Sequence, residues 1–298
     1  MKNTSKDLTE QEFLNEYDIT KFDRPSVTVD ILILSIINED TDNYRKLINK
    51  NLNILLIKRL EHPFKGKWAL PGGFVKLNES LETTAYRELK EETNVSDVYL
   101  EQLYTYGNLN RDPRGRIISS AYMSLIDSKK VTPQAGTDAI ETRWFKVYSK
   151  VINTKKETTQ IGVIELKDHE ISLVNDDIVL KSIVRVEKKT IGHQEVTTRR
   201  IISNDDLAFD HAEIIQYGIE RLRSKIEYTS IVFNLMPELF TLSELQMTYE
   251  KILGKELLKA NFRRKVAKKV IETSQVTGDN IGHRPAKLFK FNPCWNKD

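Results

Sequence analysis

Two kinds of apolar pattern divide the chain into a strand-rich first part and a helical last part. Residues 26–37 are rich in valine and isoleucine and predict a buried strand, and residues 52–60 predict a second. Shorter runs predict three further strands, at residues 99–107, 117–126 and 142–147. Leu81, Ala85 and Leu89 recur every four residues and predict a helix with one apolar face. Strands on both sides of a helix indicate an α/β sandwich.

Residues 151–205 continue the apolar pattern without carrying a chemical motif. The runs 161–166, 171–174 and 178–186 are apolar enough to be strands. This segment is therefore either an extension of the first domain or a connector, and the pattern favours neither.

From residue 207 onward the pattern is helical. Asp210 is placed to cap a first helix. Thr241 and Glu244 form the pattern of a capping box at the start of a second helix, and Gly254 is the residue expected to end it.

A third helix and a hairpin complete this last part. Residues 258–270 predict the helix, and residues 276–291 predict a hairpin that turns at 278–282. Helix, helix, helix and hairpin is the order of a winged helix-turn-helix. From Lys251 to Lys290 there are eleven Lys and Arg against three Asp and Glu, and basic side chains neutralise DNA phosphates. The predicted DNA contacts are Asn261, Arg263, Arg264, Lys265, Lys268, Arg284 and Lys287.

Composition describes a globular protein with room for two domains. The chain has 298 residues, 39% hydrophobic and 30% charged, and its net charge of +3 is too small to identify a partner. Cys294 is the only cysteine, so no internal disulfide is expected. The polar first residues are unlike a signal peptide, and the longest apolar run, around 31–37, is too short for a membrane span. We expect a cytoplasmic protein with no membrane contact.

The candidate chemistry is concentrated in one helix. Residues 73–95 read GFVKLNESLETTAYRELKEETNV. At about 100° per residue, Glu88, Glu91 and Glu92 share one helical face, and Glu92 is nearly in line with the apolar stripe. A carboxylate in a buried column needs a cation, and clustered oxygen ligands suit Mg²⁺. The alternative is a solvated helix with ion pairs one turn apart, but it does not explain the glycine, arginine and four glutamates in one register.

This window resembles the Nudix box, the signature of Mg²⁺-dependent hydrolases that cut nucleoside diphosphates linked to another moiety. One position departs from the pattern: Asn94 stands where the last glycine is expected, and asparagine is the next best residue for the left-handed turn that ends a helix. The resemblance implies Mg²⁺ or Mn²⁺ as cofactor, and Glu88, Glu91, Glu92 and Gly73 as metal ligands. It implies a catalytic set of Glu79, Arg87, Glu88, Glu91 and Glu92. Glu141 is either a catalytic base or a plain charge at the start of a strand.

Three further stretches extend the resemblance along the chain. They are RDPRGRIISSAY at 111–122, LAFDHAEII at 207–215 and NFRRK at 261–265. Together they are similar to the Nudix-related transcriptional regulators, over about residues 20–150 and 205–298. That family joins a Nudix-like domain, which senses ADP-ribose or a related sugar phosphate, to a winged helix that binds operators. Many members have a degraded Nudix box and only sense the ligand, whereas this chain keeps every acidic position.

The resemblance also implies where a nucleotide sugar would bind. Arginine offers a fork that matches phosphate geometry, and aromatic rings can stack on adenine. The candidate ligand contacts are Arg24, Lys67, Gly72, Gly73, Arg111, Arg114 and Tyr122. Trp68 and Tyr104 are further candidates for stacking, although core packing is the expected place for two of the three aromatic residues.

These observations predict a DNA-binding regulator whose Nudix domain binds, and hydrolyses in a Mg²⁺-dependent reaction, ADP-ribose or a related nucleoside diphosphate sugar. The expected parts are an arm (1–22), a Nudix domain (23–150), a β-rich extension or connector (151–205) and a winged helix-turn-helix domain (206–298). The expected partners are ADP-ribose or a related nucleotide sugar, a double-stranded DNA operator and a second copy of the chain. Two alternatives stay open: a dedicated pyrophosphatase whose last domain serves dimerisation, and a catalytically silent sensor.

Overall fold

A mixed ten-stranded sheet forms the centre of the molecule. The computed structural model describes residues 8–39, 49–96, 98–131, 139–277 and 285–296. The main path of the sheet runs β10-β9-β8-β7-β2-β1-β6-β5; β3 pairs with β2, and β4 pairs with β1. Of these pairs, β1 and β6 are parallel and the others are antiparallel. The bounds of its strands are β1 Ser26–Asn38, β2 Lys50–Arg59, β3 Trp68–Ala69, β4 Gly72–Phe74, β5 Tyr99–Tyr106, β6 Ile117–Asp127, β7 Ala139–Thr158, β8 Gly162–Asn175, β9 Ile178–Ile191 and β10 Gln194–Asn204.

Two helices cover opposite faces of this sheet. Val29, Ile31 and Ile33 of β1 pack with helix α2 (Leu81–Thr93), while the alternate residues Leu32 and Leu34 belong to the core under helix α3 (His211–Lys225). Successive side chains of a strand point to opposite faces, so one continuous apolar run supplies both cores. The predicted α/β sandwich is confirmed, and its layers are arranged α/β/α.

Residues 151–204 extend the same sheet. Strand β7 runs for 20 residues, far beyond the predicted 142–147, and β8 is one strand where two short apolar runs predicted two. Strand β10 was not predicted, because most of its residues are exposed and polar and carry no apolar alternation. Helix α3, which the pattern assigned to the last domain, packs against β1, β5, β8, β9 and β10.

The winged helix domain follows α3. Helix α4 (Leu242–Leu253) begins with the predicted capping box of Thr241 and Glu244 and ends at Gly254, whose φ is 68°. Helix α5 (Lys259–Val266) is shorter than predicted, since one 3₁₀ turn follows it, and the hairpin of β11 (Val270–Val276) and β12 (Lys287–Phe291) therefore starts earlier. The predicted turn at 278–282 lies outside the described residues.

The N-terminal arm stays exposed. Its helix α1 (Glu10–Glu16) has a capping box at Thr9 and no buried residue. Its aromatic residues Tyr17 and Phe22 are both exposed. Every helix in the described part of the chain is too short or too polar to cross a lipid bilayer.

Candidate functional site

Helix α2 presents the predicted Nudix carboxylates. The Ser80 hydroxyl accepts the Thr83 amide at 3.1 Å and caps the start of the helix. Asn94 ends it in the left-handed conformation, with φ at 55°, which is the role that the glycine of the family pattern would have. The departure at Asn94 therefore leaves the helix intact.

Two of the three carboxylates point into the protein. Glu88 is 9% exposed and Glu92 is 3% exposed, whereas Glu91 is exposed. The Thr142 hydroxyl of β7 donates to Glu92 Oε2 at 3.2 Å. A methyl group on Gly73 would lie 2.0 Å from Glu88 Oε1, so only glycine lets this carboxylate approach the β4 backbone.

Arg87 holds the loop before α2 against the helix. Its guanidinium donates to both Glu79 oxygens, at 2.9 and 3.0 Å, and to Glu88 Oε1 at 2.6 Å. It also lies 3.6 Å from Glu91. The hydrogen bonds from Arg87 lower the pKa of Glu79 to about 2, against the effect of burial.

The donor set suits a hard divalent cation that arrives with phosphates. Across the described ranges, no three Asp, Glu, His or Cys side chains converge as a ready-made metal site. Mg²⁺, however, usually takes one or two protein carboxylates and completes its shell with water and substrate phosphates. Glu88 and Glu92, beside the Gly73 backbone, supply ligands of that chemistry.

Glu141 does not belong to this carboxylate group. Thr142 faces α2, so the neighbouring Glu141 side chain points to the opposite face of the sheet. There Glu141 pairs with Lys58 at 3.4 Å and with Arg143 at 2.8 Å. The alternation of the strand therefore turns Glu141 away from the α2 carboxylates, and its role as a catalytic base stays a prediction.

A small cleft of about 100 Å³ opens on that opposite face, along β4 and the start of α3. Its wall includes Gly72 and Gly73 of β4, so this strand separates the cleft from the α2 carboxylates. The residues that add charge or an aromatic ring to the wall are Asp30, Arg59, Phe74, Arg111, Asp112, Arg114, Phe209 and His211.

Arg111 is the centre of a buried ion cluster in this cleft. It donates to Asp210 at 2.7 and 2.9 Å and to Asp30 at 3.1 Å. Asp210 was predicted to cap α3, but its side chain makes no capping hydrogen bond because Arg111 holds it. Burial would raise the pKa of Asp30, yet His211, Arg111 and Ser119 outweigh it and lower that pKa to about 2.

His211 joins this cluster to the loop before β4. Its Nδ1 accepts the Leu70 amide at 2.9 Å, and its Nε2 lies 3.5 Å from Asp30. The pattern analysis named neither Asp30 nor His211 as a site residue. A charged residue inside the apolar run 26–37 is the signal that could have found Asp30, since buried acids are rare unless paired.

Arg114 is the ligand candidate that remains accessible in the cleft. It pairs with Asp112 at 2.8 Å and lies over the Phe74 and Phe209 rings, 5.1 and 5.7 Å from their centroids. Phe209 has a left-handed backbone with φ at 53°, an uncommon conformation for a bulky residue. Backbone strain of this kind clusters at ligand sites and switches.

The other predicted ligand contacts lie elsewhere. Tyr122 is buried in the core under α2, and Trp68 is buried against Phe145, so neither ring is open to a ligand. The assignment of Tyr122 as a ligand contact is wrong for that reason. Lys67 pairs with Asp206 at 2.6 Å, and Arg24 is exposed on the segment before β1.

The basic helix α5 presents the predicted DNA-binding side chains to solvent. Phe262 and Val266 face the core, while Asn261, Arg263 and Arg264 are exposed. Lys268 is exposed as well; Lys265 forms an ion pair with Glu227, and Lys287 forms one with Glu272. Arg284, also predicted to contact DNA, lies outside the described residues.

Comparisons with known proteins match both parts of the chain. A NUDIX domain model matches residues 36–160, and a model of the NrtR DNA-binding winged helix domain matches residues 232–291. A relative from Acinetobacter baylyi, named ADPR responsive transcriptional repressor NtrR, is 33% identical over 285 residues, covering 95% of this chain and 88% of the relative.

Two further similarities concern a hydrolase and a DNA complex. The ADP-ribose pyrophosphatase of Methanocaldococcus jannaschii is 43% identical over 99 residues, covering 33% of this chain and 57% of that protein. The crystal structure of Shewanella oneidensis NrtR with a 27mer DNA matches with a TM-score of 0.59 and 27% identity, covering 91% of this chain and 95% of that one.

Proposed function

This chain belongs to the family of transcriptional regulators that join a Nudix domain to the NrtR DNA-binding winged helix domain, and from this membership we propose that it represses transcription in response to ADP-ribose. The observation that carries the proposal is the similarity to the Acinetobacter repressor, which spans both domains and the helix α3 between them.

The diphosphate of the ligand would lie along Gly72 and Gly73. These residues line the cleft on one side, while Gly73 contacts Glu88 on the other. The cleft of about 100 Å³ is smaller than the roughly 300–1,000 Å³ typical of small-molecule sites, so it would hold one part of the ligand. Arg114 would meet the phosphates there, because arginine can bind them with two parallel hydrogen bonds.

We further propose that the Nudix domain hydrolyses ADP-ribose to AMP and ribose 5-phosphate. Glu88 and Glu92 would hold Mg²⁺ or Mn²⁺, with Glu91 at the rim, and the metal would polarise the diphosphate. Arg87 keeps Glu79 and Glu88 in place, so the carboxylates meet the ligand already oriented. The pyrophosphatase of Methanocaldococcus jannaschii, 43% identical over 99 residues, favours turnover over a silent sensor.

The DNA contacts would come from α5 and the hairpin. Asn261, Arg263, Arg264 and Lys268 are exposed on one segment, where phosphates and base edges of a major groove are within reach of a recognition helix. Lys265 and Lys287 would exchange their present acidic partners for phosphates. A homodimer would place two such helices on the half-sites of an operator.

The test combines turnover and DNA binding on one preparation. Purified protein with Mg²⁺ should convert ADP-ribose to AMP and ribose 5-phosphate, measured by ion-exchange chromatography, and should bind DNA from the gene's own promoter. Glu92→Gln should abolish turnover while circular dichroism stays unchanged, because the change removes one charged metal ligand. Glu82→Gln, on an exposed position of the same helix, is the matched control and should keep wild-type rates.

Two outcomes separate the alternatives, and a third tests the metal assignment. Binding of ADP-ribose without products indicates a silent sensor, and turnover without DNA binding indicates a dedicated pyrophosphatase. Wild-type rates in a folded Glu92→Gln protein would exclude the assignment of Glu92 to the metal.

A further inference from the structure

A cavity between α3 and strands β7–β10 takes no part in the functions above. Its volume of about 380 Å³ falls within the roughly 300–1,000 Å³ typical of small-molecule sites. Among the described residues, it shares no lining residue with the cleft. Its wall combines the apolar side chains of Val151, Val186 and Ile219 with a larger group of charged ones.

The charges in this wall do not cancel. All but one of its lysine and arginine side chains pair with carboxylates that also line the cavity, at N–O distances of 2.8–3.1 Å: Lys167 with Glu165, Lys188 with Glu195, and Arg199 with Glu220. The exception is Arg223, which forms no ion pair with a carboxylate of the described residues. Charges withdrawn from bulk water are normally paired, so one positive charge in this wall lacks its counterion.

Arg223 is held in place by neutral groups. It is half-buried, its Nε donates to the Ile252 carbonyl of α4 at 2.8 Å, and its Nη2 donates to the Ser149 carbonyl of β7 at 3.0 Å. These carbonyls orient the guanidinium without neutralising it, and Nη1 has no hydrogen-bond partner among the described residues. Burial lowers the pKa of Arg223, against the effect of Glu220. Burial therefore disfavours the charged guanidinium as it stands, and an anion beside it would be stabilised.

His169 adds a neutral donor to the same wall. It lies two residues from Lys167 on β8, so both side chains point to the face that α3 covers. Burial lowers the pKa of His169; Arg223, Lys167 and Arg199 lower it further, against the effect of Glu220. The imidazole is therefore neutral at pH 7 and carries one N–H, which makes no hydrogen bond with the described residues.

We propose that this cavity binds a phosphate group, with Arg223 as the principal partner and His169 and Lys167 as further donors. The arginine fork matches the spacing of phosphate oxygens and has an unused nitrogen to offer. A phosphate group would supply the negative charge that the wall lacks. Because Arg223 also contacts α4, the ligand would lie where the Nudix part of the chain meets the winged helix domain.

Two sources of the phosphate group are distinguishable. The apolar residues Val151, Val186 and Ile219 leave an apolar surface for the carbon part of a phosphate monoester, whereas inorganic phosphate would leave that surface uncovered. Phenyl phosphate and inorganic phosphate are therefore the two probes. Tighter binding of phenyl phosphate assigns the site to a monoester, and equal binding assigns it to inorganic phosphate.

Isothermal titration calorimetry of full-length protein with both probes tests the site. Arg223→Gln should weaken binding by about 10- to 150-fold, the factor expected for a lost hydrogen bond to a charged group. Arg221→Gln, which removes a neighbouring arginine outside the cavity, is the matched control and should bind as wild type does. Arg114→Gln should also keep this binding, which separates the cavity from the cleft.

A second variant guards against a folding defect, because Arg223 also holds the end of α4. Lys167→Gln with His169→Gln leaves that contact in place and should weaken binding by about 10-fold. Phosphate should also raise the pKa of His169, measured from its imidazole proton resonances, since an adjacent anion favours the charged ring.

Three results would overturn the inference. They are no binding of either probe by the wild type, wild-type affinity in both cavity variants, and a loss in Arg114→Gln or Arg221→Gln as large as that in Arg223→Gln. The last would assign the anion to the cleft or to general surface charge. None of these measurements uses ADP-ribose, so they test the cavity independently of the proposed function.

Discussion

Gly72 and Gly73 are adjacent, but each lacks a side chain for a different structural reason. A methyl group on Gly72 would lie 2.1 Å from the Val29 carbonyl oxygen, which is backbone of the central strand and cannot move aside. A methyl group on Gly73 would meet the Glu88 carboxylate, the flexible end of a side chain. The first glycine therefore serves the fold, and the second serves the position of a carboxylate.

Gly73→Ala should accordingly lower ADP-ribose turnover without unfolding the protein. The new methyl group displaces Glu88 from the β4 backbone, and misplacement by about 1 Å can cost a catalytic site roughly 100-fold. Gly72→Ala should instead lower the free energy of unfolding by about 1–3 kcal/mol, the usual cost of overpacking. Thermal melts and initial rates of both variants check this. A Gly73→Ala protein with wild-type turnover, or one that melts as low as Gly72→Ala, would contradict the distinction.

Glu213 should make stability depend on pH. Burial and Asp210 raise its folded pKa to about 7, while Arg199, Arg111 and the Ile201 amide oppose that shift. The folded state therefore holds a proton that the unfolded state releases near 4.5, and the free energy of unfolding falls as pH rises through this window. Above pH 7 the destabilisation is complete.

Glu213→Gln removes that destabilising charge. Its melting temperature relative to wild type should rise at pH 8 and converge with wild type toward pH 5. Glu220→Gln is the control. The Arg199 guanidinium helps to lower the pKa of Glu220, so removing the Glu220 charge should not raise the melting temperature at pH 8. If the difference in melting temperature between Glu213→Gln and wild type is the same at pH 5 and at pH 8, the Glu213 carboxyl does not titrate in that range.

Local sequence signals predict some secondary-structure elements better than others. Strand β1 begins at the predicted residue 26, and α4 has the predicted capping box, because apolar alternation and caps are local signals. Strand β10 carries no such signal, since it forms by pairing with β9 along mostly polar residues. The acids Asp30 and Asp210 were not predicted to meet, because both bind Arg111, which is separated from Asp30 by 81 positions and from Asp210 by 99.

The face that a side chain takes also depends on pairing. Glu141 and Thr142 are adjacent, and the register of β7 against β2 decides which of them meets α2. The Nudix carboxylates on α2 could be predicted because the helical period alone places them together. Glu141 could not, because its face depends on a partner strand that is remote in the chain.

Helix α5 should set the salt dependence of DNA binding. Arg263 and Arg264 are exposed on it, while Lys265 is already paired with Glu227. Arg263→Ala with Arg264→Ala should weaken promoter binding and flatten the slope of log affinity against log salt by about 0.9 per lost phosphate contact. Adding Lys265→Ala should have a smaller further effect. The control is Lys155→Ala with Lys156→Ala, two exposed lysines on the far end of β7. An unchanged slope in the arginine variant would exclude α5 from the interface.

At the scale of the whole molecule, α3 joins the ligand cleft to the winged helix. Asp210, just before its first residue, is held by Arg111 in the cleft. Near its other end, Arg223 donates to the Ile252 carbonyl of α4 at 2.8 Å and to the Ser149 carbonyl of β7 at 3.0 Å. Lys50 of β2, buried and 3.9 Å from Glu244, adds a second link between the sheet and α4. Helix α3 therefore links the cleft, the sheet and the winged helix domain.

This arrangement predicts that ADP-ribose and DNA oppose each other through α3. Coupling requires the ligand to bind two global states with different affinity, and typical values are about 1–3 kcal/mol, or roughly 5- to 150-fold in DNA affinity. An anionic ligand in the cleft would compete with Asp210 for Arg111 and so loosen the N-terminal end of α3. Hydrolysis would then restore DNA binding as the ligand is consumed.

The measurement is a DNA titration with and without saturating ADP-ribose, in the Glu92→Gln background so that the ligand persists. Arg223→Gln should keep the affinity for DNA alone and the affinity for ADP-ribose alone. It should reduce the ratio of the DNA affinities measured without and with ADP-ribose, because it breaks the link between α3 and α4. Arg221→Gln, on the same helix and bonded to Tyr217, is the matched control and should keep the ratio. Since coupling is reciprocal, DNA must weaken ADP-ribose by the same factor. Equal DNA affinity in both titrations, at ligand levels shown to saturate the Nudix domain, would leave the two domains uncoupled.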